Sequence, residues 1–181
     1  EHAGVSPDIL CTSKGLTAGY MPMSITVTTD KVYDAFYDDY GTHKAFVHSH
    51  TYAGNPMGCA IALEVLKIMK RDHILDKVNE DGKYLHEELM KALGHHKNVG
   101  EIRHIGLINA IELVEDPATK KAFPAEKRIG WHVFRKAMAK GLVLRPMGDV
   151  IYFNPPLNIS REDLDKGVAL CKEAVEAVLG E

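Results

Sequence analysis

The stretch Ser6-Pro7-Asp8-Ile9-Leu10-Cys11-Thr12-Ser13-Lys14-Gly15-Leu16-Thr17-Ala18-Gly19-Tyr20 runs a short apolar strand into a lysine and then into a loop of small residues. Lys14 stands at the mouth of that strand, followed at once by Gly15 and then by Gly19, where backbone can approach a bound group closely. An amine held among apolar neighbours has its pKa pulled down, which is what a Schiff-base lysine requires. Lysine is also among the residues least often buried, and most lysines are solvated surface charges. Lys14 therefore acquires meaning only from what else the chain carries.

Outward from this stretch the chain alternates strand and helix signals. Met23 to Thr28 is β-branched with period two and reads as a strand, followed by a short helix capped by Thr29 or Asp30 and running through Phe36. A loop from Asp38 to Gly54 carries three histidines and ends in Asn55-Pro56, a cap and first helical position. The helix from Pro56 to Lys70 has apolar residues on overlapping faces, which predicts cover on both sides; a second helix spans about Ile74 to Leu93. Val99 to Ile105 and Leu107 to Val114 read as paired strands interrupted by Gly106. A helix is expected from Ala125 or Glu126 to Lys140, ended by Gly141, then a hairpin of Leu142–Arg145 and Val150–Phe153 around Pro146 to Asp149. Ser160 caps a last helix whose first turn holds Glu162 and Asp163. The pattern is α/β or α+β, in two parts joined near residue 72.

Composition excludes several classes of function. A net charge of −3 in 181 residues gives no electrostatic reason to expect nucleic acid or a membrane surface as partner. No apolar run is long enough to span a bilayer. Cys11, Cys59 and Cys171 are an odd, scattered set, which predicts free thiols and a cytoplasmic setting. His48-x-His50 and His95-His96 lack a third metal ligand of suitable spacing, so no metal is expected. The order around Lys14 is not that of a nucleotide P-loop, and no Gly-x-Ser-x-Gly elbow is present.

Three segments can carry chemistry together. The first is Ser13-Lys14-Gly15. The second, His48-Ser49-His50-Thr51-Tyr52-Ala53-Gly54-Asn55-Pro56, sets hydroxyls and amides just ahead of a helix N-terminus, a favourable place for a phosphate unless they only satisfy local backbone. The third, Leu144-Arg145-Pro146-Met147-Gly148-Asp149, puts an arginine between an apolar strand and a Pro-Gly turn, where it can fork onto a carboxylate or simply face solvent.

Pro7 to Pro22 closely resembles the cofactor-lysine segment of class III aminotransferases, pyridoxal-phosphate enzymes of fold type I. His48 to Gly58 is similar to that family's phosphate-binding threonine loop. Arg145-Pro146-Met147-Gly148 and Asn154-Pro155-Pro156 are most similar to the members acting in biotin synthesis. The resemblance implies an α/β fold, the C-terminal part of a fold type I transferase. Residues 1–72 would close the large, cofactor-binding domain, and residues 73–181 would supply a connecting helix and the small domain.

It further implies pyridoxal 5'-phosphate as cofactor and Lys14 as both its covalent anchor and the base of the reaction. The cofactor phosphate would go to Thr51 and the backbone near His50, usually across the interface of a homodimer with shared active sites. Ser49 would lie close to substrate and Arg145 would hold its carboxylate. The implied activity moves an amino group from adenosylmethionine or lysine to the keto substrate 8-amino-7-oxononanoate. The Ser49-His50 pair replaces the Gly-Pro of some relatives, which leaves the donor open. The other readings are an ω-amino acid, ornithine or 4-aminobutyrate aminotransferase, and a non-catalytic fragment of such an enzyme. The opening Glu1-His2-Ala3-Gly4, with no methionine, reads as a cut through a longer protein whose remaining cofactor groups lie upstream.

Overall fold

A computed structural model describes residues 2–180. The chain divides into two compact units, Glu1–Asp72 and His73–Glu181. In the first, β1 (Ile9–Thr12) and β2 (Ile25–Thr28) form an antiparallel ladder with Ile9 opposite Thr28 and Thr12 opposite Ile25. A short α1 (Asp30–Asp34) follows, starting at Thr29, whose side chain makes no capping bond, and ending before Phe36. The long loop holds one 3-10 turn, Tyr40–Thr42.

The next helix, α2 (Pro56–Arg71), starts where Asn55 and Pro56 direct it: the Asn55 side chain accepts from the Met57 and Gly58 amides. It lays Gly58 and Ala62 inward, and a Cβ at Gly58 would sit 3.4 Å from Met23 Sδ. Cover on both faces, expected from the apolar pattern, is absent: Leu63 is 61% exposed and Leu66 52%. The reason is architectural. A two-stranded ladder and one long helix supply no second layer, and such a hairpin gains little stability alone.

The second unit has a core of its own. Its antiparallel sheet runs β3 (Val99–Ile105), β4 (Ile108–Leu113), β6 (Val150–Phe153), β5 (Arg145–Met147), in that spatial order. Alternation along β4 turns Asn109, Ile111 and Leu113 inward, and Ile151 and Phe153 join them from β6. Against these pack α3 (Ile74–Leu93), α4 (Ile129–Ala139) and α5 (Arg161–Leu179), through residues such as Leu85, Leu89, Val133, Leu164 and Val175. Burying each such aliphatic side chain stabilises by about 1.5–3 kcal/mol. Cys171 lies in this core, and burial pushes its thiol up to about 12.

Two sequence expectations shift here. The helix expected from residue 125 is a 3-10 turn, Ala125–Lys127, separated from α4 by Arg128 at φ +44. One left-handed residue interrupts the helical ladder, and the pattern of apolar positions carries no sign of it. The hairpin is also shorter: β5 begins only at Arg145, and the turn is Gly148-Asp149. Pro146 is tolerated because β5 is an edge strand.

A buried carboxylate ties α3 to the start of α5. Asp81 is 3% exposed and receives Lys77 Nζ and Arg161 Nε, the latter at 3.0 Å from Oδ1. Lys77 also donates to the Ile159 carbonyl at 2.7 Å, and the Arg161 guanidinium lies 4.8 Å from the Tyr84 ring centroid. Burial pushes the Asp81 carboxyl up, but the hydrogen bonds from Lys77 and Arg161 outweigh it and hold the group below its ordinary value. A lowered folded pKa means stability present above the unfolded pKa and lost as pH falls through the folded one. Asp81→Asn is therefore expected to cost about 1.5–3 kcal/mol at pH 7, where two charge-assisted bonds are weakened. Urea denaturation at pH 7 and again near pH 3 checks this: the gap to wild type should shrink at the lower pH. An equal gap at both would refute it.

Candidate functional site

Lys14 follows β1 after Ser13, which is still extended, and opens the 3-10 turn Lys14–Thr17. Its own φ is +51, and Ala18 (φ +49) and Gly19 (φ +83) are left-handed as well. For a lysine this conformation costs roughly 1–2 kcal/mol, and such strain gathers at functional sites. The turn is held by bonds from Leu16 to Ser13 (3.1 Å), Ala18 to Gly15 (3.2 Å) and Tyr20 to Thr17 (3.0 Å). Beneath it the buried Thr17 hydroxyl donates to the Met21 carbonyl. Lys14 lines an open cleft of about 690 Å³ with Ser13, Thr17, Gly19 and Met21.

The apolar surroundings expected for the Lys14 amine do not form within this unit. Lys14 is exposed, as are Ile9 (55%) and Leu10 (51%), because no further layer covers β1 here. Among the described residues the amine has no carboxylate partner. It is a free primary amine on a strained, well-tied turn.

Ser49, His50 and Thr51 are exposed on the loop before α2. His50 packs edge-on against His48, ring centroids 4.9 Å apart. Turn bonds from Ala53 to His50 (2.9 Å) and Asn55 to Tyr52 (3.2 Å) shape the loop. The first α2 amides go to Asn55, so they are not the open donors of this region. Those lie upstream. Among the described residues, the amides of 49–52 meet no backbone carbonyl and the Thr51 hydroxyl has no partner. None of these three residues lines the Lys14 cleft.

A free amine and a separate set of unpaired amide and hydroxyl donors match, in kind, a cofactor bearing an aldehyde and a phosphate.

Arg145 belongs to the second unit. It lies on β5 opposite Tyr152, exposed, with no carboxylate partner among the described residues. It borders a cavity of about 780 Å³ together with Arg128, Trp131, Phe134 and Asp149. The Arg128 guanidinium is 5.1 Å from the Trp131 ring centroid. The sequence pattern singles out Arg145 within the segment that ends at Asp149, but it gives Asp149 no role of its own and does not point to Arg128 or Gly130. The Gly148-Asp149 turn was visible; its link to Gly130, nineteen residues upstream, was not. No described helix is long and apolar enough to cross a membrane.

Comparison with known proteins places these features. Residues 1–175 match the family model for aminotransferase class III. The chain is 45% identical over 177 residues to an adenosylmethionine-8-amino-7-oxononanoate aminotransferase of Geobacter sulfurreducens, covering 98% of this chain and 39% of that relative. It is 34% identical to a diaminobutyrate–2-oxoglutarate transaminase of Halomonas elongata, covering 98% of this chain and 38% of the relative. The crystal structure of the Methanocaldococcus jannaschii adenosylmethionine-8-amino-7-oxononanoate aminotransferase superposes with a TM-score of 0.88 at 37% identity, over 96% of this chain and 40% of that one. The chain thus spans about two fifths of the length of the proteins it matches. With a family match over nearly its whole length and the mixed α/β fold of those enzymes, the chain belongs to the class III aminotransferases, a family dependent on pyridoxal 5'-phosphate.

Proposed function

We propose that the protein is the aminotransferase of biotin synthesis that converts 8-amino-7-oxononanoate to 7,8-diaminononanoate, with adenosylmethionine or lysine as amino donor. The observation that carries this reading is the 45% identity to a relative named for that activity, over a chain whose family lysine sits on a strained turn. In this reading residues 1–72 complete the large, cofactor-binding domain and residues 73–181 contain the small domain.

Pyridoxal 5'-phosphate, when bound, supplies the electron sink that makes a proton on the amino-bearing carbon removable. Lys14 Nζ would anchor the cofactor and, once displaced by the substrate amine, would move that proton between the substrate's amino-bearing carbon and the cofactor carbon across the nitrogen. The Thr51 hydroxyl and the backbone at His50 hold the phosphate, contributed across a homodimer interface. That is consistent with their place outside the cleft that Lys14 lines. Ser49 stands by the substrate, and Arg145, whose planar guanidinium has no ion-pair partner among the described residues, forks onto the substrate carboxylate.

The full-length protein should form 7,8-diaminononanoate from 8-amino-7-oxononanoate with one of the two donors, as measured by product mass. Absence of product with both donors rejects the assignment. Turnover of diaminobutyrate with 2-oxoglutarate in that case supports the second reading, which the Halomonas relative favours.

A further inference from the structure

We propose that Asp149 is a positioning residue for Arg145, acting by fastening the β5–β6 turn to the first turn of α4. The proposal rests on the reading of Arg145 as the carboxylate-binding group.

Three contacts meet at this turn. Asp149 Oδ1 accepts the Gly130 amide at 2.8 Å, a charge-assisted bond at the N-terminus of α4, where a carboxylate is favoured. The Asp149 carbonyl accepts the Leu113 amide at 3.0 Å, which holds the same turn to the end of β4. The Gly148 carbonyl lies 2.2 Å from where a Cβ on Gly130 would stand, so turn and helix touch backbone to backbone. Gly148 itself, at φ +61, takes the first position of a two-residue hairpin turn.

Arg145 depends on this fastening because its strand is paired on one side only, to β6. β5 has three residues, lies at the sheet edge, and contains Pro146, which donates nothing to the ladder. Arg145 makes no ion pair and no side-chain hydrogen bond among the described residues that would orient it. Its direction follows from the backbone of β5, and that backbone is set by the turn that begins three residues on. Releasing the Asp149–Gly130 bond frees the turn to pivot and spreads the guanidinium over many positions. A two-pronged contact with a carboxylate is sensitive to such spread.

The test is a double-mutant cycle in the full-length, cofactor-loaded protein, read as the affinity for nonanoate, a non-reacting carboxylate of the substrate's length, by competition with 8-amino-7-oxononanoate. Arg145→Gln and Asp149→Ala should each weaken binding, the second by roughly 5- to 30-fold, the loss typical of one charge-assisted bond. The double variant should be no worse than Arg145→Gln alone, because Asp149 acts through Arg145. Asp149→Asn, which keeps an oxygen acceptor, should recover most of the affinity.

Losses that multiply in the double variant, or full affinity in Asp149→Ala, overturn the proposal. Unchanged affinity in Arg145→Gln instead rejects the carboxylate role of Arg145, a separate failure. Should Asp149→Ala not fold, Asp149→Glu is read in its place. Its extra methylene displaces the turn while keeping the charge, and normal nonanoate affinity there overturns the proposal equally.

Discussion

Replacing Lys14 by alanine is expected to lower amino transfer by the full-length protein on the order of 10³-fold or more, since the proposed function makes Lys14 Nζ both anchor and base. Lys14→Arg should do no better: a guanidinium keeps the charge but does not release its proton at working pH. Borohydride reduction followed by peptide mass measurement gives a second readout. Cofactor mass should attach to the wild-type peptide containing Lys14 and to no peptide of Lys14→Ala. Covalent attachment elsewhere, or substantial turnover without Lys14, would sink the assignment.

The backbone sharpens this prediction. At φ +51 alanine is as strained as lysine, so Lys14→Ala should leave thermal stability nearly unchanged, the side chain being exposed. Lys14→Gly relieves the strain and should raise stability, by about 1 kcal/mol at most once glycine's greater freedom in the unfolded chain is counted. A variant both inactive and slightly more stable is the signature of strain kept for function.

Gly82→Ala is expected to produce the largest loss of stability in the second unit, about 3 kcal/mol or more. In an exposed helix interior the same change would stabilise by roughly 0.5–1 kcal/mol. Here the new methyl carbon would stand 2.1 Å from the Gly106 carbonyl oxygen and 2.5 Å from its carbon. Both are backbone, in a turn where Gly106 is at φ +52, so no side chain can swing aside.

The damage would spread to Asn109. Its amide is fully buried and donates to the Gly82 carbonyl at 3.4 Å and the Leu107 carbonyl at 3.5 Å. Parting α3 from the β3–β4 turn costs that amide its Gly82 partner, in a place water does not reach, and leaves it only the Leu107 carbonyl. Gly167 offers the contrast. A Cβ there meets side chains and no backbone, the edge of the Phe153 ring at 3.2 Å and Leu142 Cδ1 at 3.9 Å, and side chains have some room to yield. Urea denaturation should rank Gly82→Ala well below Gly167→Ala. A Gly82→Ala midpoint at or above wild type refutes the close-approach argument.

Local signals predicted the elements well where one rule acted alone. Asn55-Pro56 marks the start of α2 and Ser160 that of α5, with Ser160 accepting the Asp163 amide, because capping is settled within four residues. The β3–β4 pair around Gly106 was legible for the same reason. Helix continuity was not. Arg128 turns left-handed where the apolar pattern runs on, since the Gly130–Asp149 contact fixes where α4 can begin. The expected cover over α2 and the apolar cradle for Lys14 failed on another ground: both require a neighbouring layer, and a helix's apolar faces show that it can be buried, not what buries it.

The sequence by itself determined the chemistry in prospect. A lysine between an apolar strand and two glycines, a threonine loop ahead of a capped helix, and an arginine before a Pro-Gly turn stand in one order, on a chain that matches the class III aminotransferase family from residue 1 to 175. Only the tertiary structure decided how those groups are held. It put Lys14 in a left-handed turn, left the amides of 49–52 without backbone carbonyl partners among the described residues, and fastened the Arg145 hairpin to α4 through Asp149. The physical reason is range. Residue type and nearest neighbours set what a side chain can do, whereas its direction comes from backbone contacts between segments far apart in the chain.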